Sequence, residues 1–179
     1  VLGVGTVGMM AMQEAMALGA RVFAVDRRQI SLDLATQLGA DAVINPETQD
    51  ADQALMDLTD GQGPDVIIDA AGGHDTPALA TKWVRAGGRV LLVALFTAKT
   101  EIDFNSVVGR EVEMIGSLAY QKRDVEQVVS MISAGAIKTA PLISDRIGLK
   151  DVLTKGYERM MAPSKDVFKI LVAPSGVSA

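Results

Sequence analysis

Gly3, Gly5 and Gly8 stand at the spacing G-x-G-x-x-G, and Asp26 follows the last of them by eighteen residues. Glycines at this spacing handle anions with backbone rather than side chains. Gly3 permits a tight turn, and Gly5 leaves room for peptide N–H groups to approach a diphosphate. Gly8 lets the following helix pack closely on the preceding strand. Thr6 and Val7 complete the turn, and the helix that starts there points its positive end at the phosphates. A carboxylate at Asp26 accepts hydrogen bonds from ribose hydroxyls and repels a 2′-phosphate. Arg27 and Arg28 beside it weaken that selection, because a neighbouring arginine can accommodate the phosphate. These residues point to a nucleotide-type cofactor, NAD(H) ahead of NADP(H). Methyltransferases also use a glycine turn with an acid after the second strand, and that reading stays open at this point.

The turn works only if a strand precedes it, a helix follows it and a second strand carries the acid. The sequence supplies this order. Val1-Leu2 enters the turn, residues 7–18 read as a helix, and Arg21 to Asp26 reads as the second strand. Val7, Met10, Ala11, Ala15 and Leu18 make the expected core face of that helix, with Met9, Met12 and Met16 as a second stripe. Alternating elements continue with helices at 30–38, 47–58 and 75–84, the last capped by Asp75 and opened by Pro77. Strands are expected at 42–44, 65–69 and 89–95, and their unbroken apolar runs suit parallel strands covered on both faces. Beyond residue 100 the pattern gives a strand at 111–118, a helix at 123–134, a Pro141 segment, a helix at 149–161 and a strand at 167–172. The expected fold is an α/β, doubly wound parallel sheet (Rossmann) with its first strand truncated. Its parts are a dinucleotide-binding domain, 1–140, and a C-terminal segment, 141–179. Right-handed crossovers then bring the carboxyl ends of the first strand and strand 65–69 together at the switch point, where ligands of such sheets bind. With only two residues before Gly3, the chain is expected to be a piece of a longer protein.

Composition narrows the chemistry. The 179 residues are 49% hydrophobic and 22% charged, with a net charge of −5. That charge argues against a nucleic-acid partner. No apolar run reaches the roughly 18 residues of a membrane span, so a soluble, cytoplasmic protein is expected. Cysteine is absent and His74 is the one histidine. Disulfides are therefore impossible, and no Cys/His zinc site can be assembled within the chain. His74 reads as a polar loop residue. A Tyr-x-x-x-Lys pair is missing, since Tyr120 is followed four residues on by Asp124 and Tyr157 by Met161. No catalytic residue and no metal ligand is assigned.

Several segments in order, Leu18-Gly19-Ala20-Arg21-Val22, Leu38-Gly39-Ala40-Asp41, Asp65-Val66-Ile67-Ile68-Asp69-Ala70-Ala71-Gly72 and Gly87-Gly88-Arg89-Val90, join the glycine turn in a wider resemblance. Together they resemble the cofactor-binding half of the medium-chain, zinc-type alcohol and polyol dehydrogenases. Ile115-Gly116-Ser117-Leu118-Ala119-Tyr120, Pro141-Leu142-Ile143, Lys155-Gly156-Tyr157-Glu158 and Lys169-Ile170-Leu171-Val172 resemble the butanediol and sorbitol branch. The resemblance implies hydride transfer between NAD and a diol, polyol or secondary alcohol, or the matching ketone. Zinc is implied only in an N-terminal domain outside this chain, so the chain alone is expected to be inactive. The resemblance also implies a homo-oligomer and a C-terminal segment that packs back toward the catalytic domain. It places Ala71, Leu95 and Leu118 on the nicotinamide side, Arg27 beside the adenosine and Lys169 within reach of the pyrophosphate. Val93-Ala94-Leu95 departs from the family's frequent Val-Gly-Leu, adding a methyl group where backbone approaches the nicotinamide. A zinc-free quinone-reductase relative and a non-catalytic NAD-binding regulatory module remain as alternatives.

Overall fold

A computed structural model describes residues 1–162 and 166–175. The chain divides into two compact units, Val1–Ile137 and Lys138–Ala179. In the first, five short strands run parallel: β1 (Phe23–Val25), β2 (Ala42–Ile44), β3 (Val66–Asp69), β4 (Arg89–Leu92) and β5 (Glu113–Gly116). β1 pairs with β2, and β3, β4 and β5 pair in that order. Leu2 joins the two groups through parallel bridges to Val25 and Asp69. Leu2 N–H donates to the Ile68 carbonyl at 2.8 Å, and Ala70 N–H donates to the Leu2 carbonyl at 2.9 Å. The first strand is thus reduced to one bridging residue, and the order is β2-β1-Leu2-β3-β4-β5. This is the doubly wound arrangement with its switch point at Leu2.

Five helices connect Leu2 and these strands, α1 (Thr6–Ala17), α2 (Gln29–Leu38), α3 (Ala51–Leu58), α4 (Thr76–Trp83) and α5 (Phe104–Gly109), and α6 (Lys122–Ser133) follows β5. β1 is buried throughout, whereas Val66 on β3 and Ile115 on β5 are 45% and 42% exposed, so the expected cover on both faces does not extend along the whole sheet. Phe23, Val25, Ile44, Ile67 and Val90 share one core with Leu55 and Trp83 from the helices and with Val84, which follows α4. Asp52 on α3 accepts hydrogen bonds from Lys82 Nζ and Trp83 Nε1 on α4. Those bonds, Lys82 foremost, hold the Asp52 carboxyl below its ordinary value.

Several expectations need correction. The buried face of α1 is Gly8, Met9, Met12 and Gln13, whereas Val7 and Leu18 are 60% and 74% exposed. Both stripes are apolar, so periodicity alone could not choose. Close packing of Gly8 on Gly3 chooses, turning residues 9 and 12 inward with it. α3 begins at Ala51 rather than 47, because Asp50 caps it by accepting from Gln53 N–H at 3.1 Å. Asn45 holds the preceding turn, accepting from Glu47 N–H at 3.0 Å. α5 was not foreseen. β4 stops at Leu92, three residues early, where Val93 and Ala94 N–H groups both converge on the Asp69 carbonyl.

The second unit pairs β6 (Ile143–Gly148) with β7 (Lys169–Ala173) in parallel. The helix expected at 149–161 is three pieces: a 3₁₀ turn at Leu149–Asp151, a π-helical stretch at Val152–Tyr157, and α7 (Glu158–Met161). Gly156 is the buried residue of the π-helical stretch, and a Cβ there would stand 3.4 Å from Ile147 Cδ1. Arg159 ties the unit together, pairing with Asp145 at 2.9 Å and Asp166 at 3.7 Å. Residues 163–165 and 176–179 of the expected segment 141–179 lie outside the described residues.

Candidate functional site

The glycine turn sits at the carboxyl ends of β1 and β3, where Leu2 bridges them. Gly3 takes φ +82, and a Cβ there would stand 2.6 Å from the Ala71 backbone. Any other residue would be strained and would collide with the neighbouring loop. Gly8 is as constrained, because its Cβ would lie 1.9 Å from the Gly3 carbonyl oxygen. Gly5 differs. Its φ of −69° suits any residue, and an added Cβ would meet only Arg28 Nη2, at 3.7 Å. Protein packing therefore explains Gly3 and Gly8 and leaves the open space before Gly5 for something else. Gly5 is also the N-cap of α1 and supplies no side-chain cap to it. A diphosphate fits this cradle, which offers open space beside helix-start backbone.

Asp26 follows β1 beside the turn. One carboxylate oxygen accepts from Val4 N–H at 2.9 Å and the other from Arg28 N–H at 2.8 Å. Its side chain is 11% exposed and pairs with Arg28 Nε at 3.7 Å. Each oxygen keeps a second lone pair for ribose hydroxyls. Arg27 is exposed and pairs with Asp75 at 3.6 Å. Asp75 does not cap α4 as expected, since its own backbone is helical and its side chain makes no cap bond.

The facing loop depends on a residue whose role the sequence did not reveal. Asp69 is fully buried and accepts from Ala71 N–H at 3.0 Å, Gly72 N–H at 3.2 Å and Thr76 Oγ1 at 2.7 Å. It therefore shapes residues 71–76 and holds Ala71 against Gly3. The signal was an aspartate directly before the small residues Ala70-Ala71-Gly72, a composition that suits side-chain-to-backbone turns. Leu95 and Leu118 follow the carboxyl ends of β4 and β5 and are 78% and 81% exposed. They stand on the same end of the sheet as the turn. Thr6 opens α1, and Val7 beside it is exposed. Lys169 opens β7 in the second unit and is exposed. His74 is exposed in the loop before α4.

A cavity of about 650 Å³ lies elsewhere, lined by Leu18, Arg21, Phe23, Gln62, Asp65 and Arg85 among others. It extends from the amino ends of β1 and β3 as far as Leu2 and Val25, and none of Gly3, Gly5 or Gly8 lines it. Among the described residues, no group of three or more His, Cys, Asp or Glu side chains is placed to hold a metal ion. No helix among them is long and apolar enough to cross a membrane.

A doubly wound sheet with this turn at its switch point and an acid after the next strand defines a dinucleotide-type domain. Residues 6–134 match the family model of the zinc-binding dehydrogenases; the chain belongs to that family. An alcohol dehydrogenase of Geobacillus stearothermophilus is 32% identical over 161 residues, covering 90% of this chain and 46% of that protein. The (R,R)-butanediol dehydrogenase of Neisseria gonorrhoeae is 24% identical over 174 residues, covering 97% and 49%. The solved alcohol dehydrogenase of Thermus sp. ATN1 superposes with a TM-score of 0.86 at 30% identity, covering 96% of this chain and 49% of that one. The chain thus spans about half the length of the curated relatives it matches. These matches support the alcohol-dehydrogenase reading and not the quinone-reductase or regulatory-module alternatives.

Proposed function

We propose that this chain is the NAD(H)-binding half of an oxidoreductase that moves hydride between NAD and a diol, polyol or secondary alcohol. The observation that carries the reading is Gly5, the glycine at the start of α1 in the switch-point turn, whose added Cβ would meet only the far end of Arg28. Gly3, Gly5, Thr6, Val7 and Gly8 hold the diphosphate through backbone, and Asp26, fixed by Val4 and Arg28, receives the ribose hydroxyls. Arg27 lies along the adenosine. Ala71, Leu95 and Leu118 give the nicotinamide an apolar wall that keeps water from the reacting carbon, and Lys169 is the basic residue that the family resemblance assigns to the pyrophosphate. The bound nicotinamide supplies the hydride acceptor. Substrate binding, zinc and proton transfer belong to the rest of the parent enzyme. Residues 141–179 are the segment that packs back toward it.

The parent is read as a cytoplasmic homo-oligomer. β5 is the outer strand of its sheet, and Ile115 on it is 42% exposed, which leaves an edge that a second copy can cover. The test of the cofactor reading is titration of NADH and NADPH against the wild type and Asp26→Ala. The expected result is tighter NADH binding by the wild type, reduced roughly tenfold in the variant as a charge-assisted hydrogen bond is lost. Equal wild-type affinities for the two cofactors would sink the NAD preference.

A further inference from the structure

Three loops meet at Asp69, whose side chain is fully buried at the end of β3. Its Oδ1 accepts from Ala71 N–H at 3.0 Å and Gly72 N–H at 3.2 Å, and its Oδ2 accepts from Thr76 Oγ1 at 2.7 Å. Its main-chain carbonyl accepts from Val93 N–H at 3.0 Å and Ala94 N–H at 3.1 Å. The two residues held by Oδ1 carry the contact outward. Ala71 lies so close to the glycine turn that a Cβ on Gly3 would stand 2.6 Å from it. Gly72, at φ +65, packs on the loop after β4, where a Cβ would stand 3.0 Å from Ala94 Cβ and 3.1 Å from the Leu95 carbonyl oxygen. The Ala94 methyl therefore occupies the space left by the missing side chain of Gly72.

The glycine turn, residues 71–76 and the Ala94–Leu95 backbone are far apart in sequence, and Asp69 fixes the second against the first and the third. A buried carboxylate engaged by three donors is itself held in one place, which suits it to hold others. It touches no ligand, since no part of it is exposed. We propose that Asp69 is the positioning residue for the nicotinamide half of the cofactor: acting through Ala71 and Gly72, its carboxylate sets the spacing between the glycine turn and the apolar wall of Ala71 and Leu95. The ribose acid and the start of the turn are anchored without it. Asp26 is fixed by the Val4 and Arg28 N–H groups, and Gly3 N–H donates to the Val25 carbonyl at 2.8 Å. The proposal rests on the dinucleotide reading above.

NADH and ADP-ribose differ by the dihydronicotinamide alone, so their dissociation constants, measured by calorimetry on the 179-residue chain and its variants, separate the two halves of the site. The wild type should bind NADH about tenfold more tightly than ADP-ribose. Asp69→Ala leaves the Ala71 and Gly72 N–H groups without their acceptor and frees the loop. NADH should then weaken about fivefold, the size of re-ordering one or two loop residues on binding, while ADP-ribose stays within about twofold. Asp69→Asn keeps an oxygen for Ala71 and Gly72 and offers an N–H to Thr76 Oγ1, whose hydroxyl can turn to the Gly73 carbonyl 3.0 Å away. That variant should bind NADH within about twofold of the wild type. Thr76→Val removes one arm with little change of shape and should weaken NADH alone, by about threefold; it decides the matter if Asp69→Ala fails to fold. Equal weakening of both ligands in either variant, an unchanged NADH affinity, or an Asp69→Asn chain no better than Asp69→Ala would overturn the proposal. So would a wild type that binds ADP-ribose as tightly as NADH. Each of these leaves the dinucleotide reading standing. Failure of the wild type to bind either ligand would instead overturn that reading, and this proposal with it.

Discussion

Replacing Gly8 and Gly5 in turn with alanine separates what the fold requires from what a ligand requires. At Gly8 the new methyl would stand 1.9 Å from the Gly3 carbonyl oxygen and 3.3 Å from Ala70 Cβ. Backbone is the obstacle, so α1 must move off the turn. That motion disturbs Met9 and Met12, both fully buried. Overpacking of this kind costs about 3 kcal/mol, a fall of roughly 6–12 °C in Tm for a chain of this size. At Gly5 the methyl meets only the far end of a flexible arginine, at 3.7 Å. Stability should therefore change by no more than about 1 kcal/mol, the scale of a helix-cap substitution. The same methyl occupies the cradle, so NADH affinity should fall at least tenfold, or about 1.4 kcal/mol. Circular-dichroism melts paired with NADH titrations read both quantities on the same samples. A Gly5→Ala chain that binds NADH like the wild type would refute the reasoning. So would one that melts as early as Gly8→Ala, since packing would then explain all three glycines.

The remaining prediction concerns chemistry. The chain made alone should hold no stoichiometric zinc and turn over no alcohol, because no second wall positions substrate against the nicotinamide. Metal analysis and an NADH absorbance assay check this, and steady turnover with bound zinc would contradict it.

The switch-point site was legible because its signals are local. Glycine spacing, the run Val22 to Val25 ending at Asp26, and unbroken apolar strands each declare themselves within a few residues. Features set by long-range packing were not. Nothing in the residues of α1 says which apolar stripe faces inward, because the decision is made at the Gly8–Gly3 contact. The sequence Asp75-Thr76-Pro77 reads as a cap, yet Thr76 turns to the buried Asp69 and Asp75 to Arg27, partners seven and 48 positions earlier. Arg27 and Arg28 look alike in a sequence and differ only once the path after β1 is known. In the second unit, β6 runs Ile143-Ser144-Asp145-Arg146-Ile147-Gly148, with three polar residues in a row and no alternation to mark a strand. The π-helical stretch Val152–Tyr157 interrupts what periodicity reads as one helix.

The central claim, that a nicotinamide dinucleotide binds at the glycine turn, is tested most directly by following backbone amide signals of the chain by NMR during NADH titration. Saturable shifts should be largest at Gly3, Val4, Gly5 and Thr6, at Arg28, and at Ala71 and Gly72. Residues lining the far side of the cavity, such as Phe23 and Gln62, should be little affected. Shifts centred on that cavity, or no saturable shifts at the turn, would contradict the account.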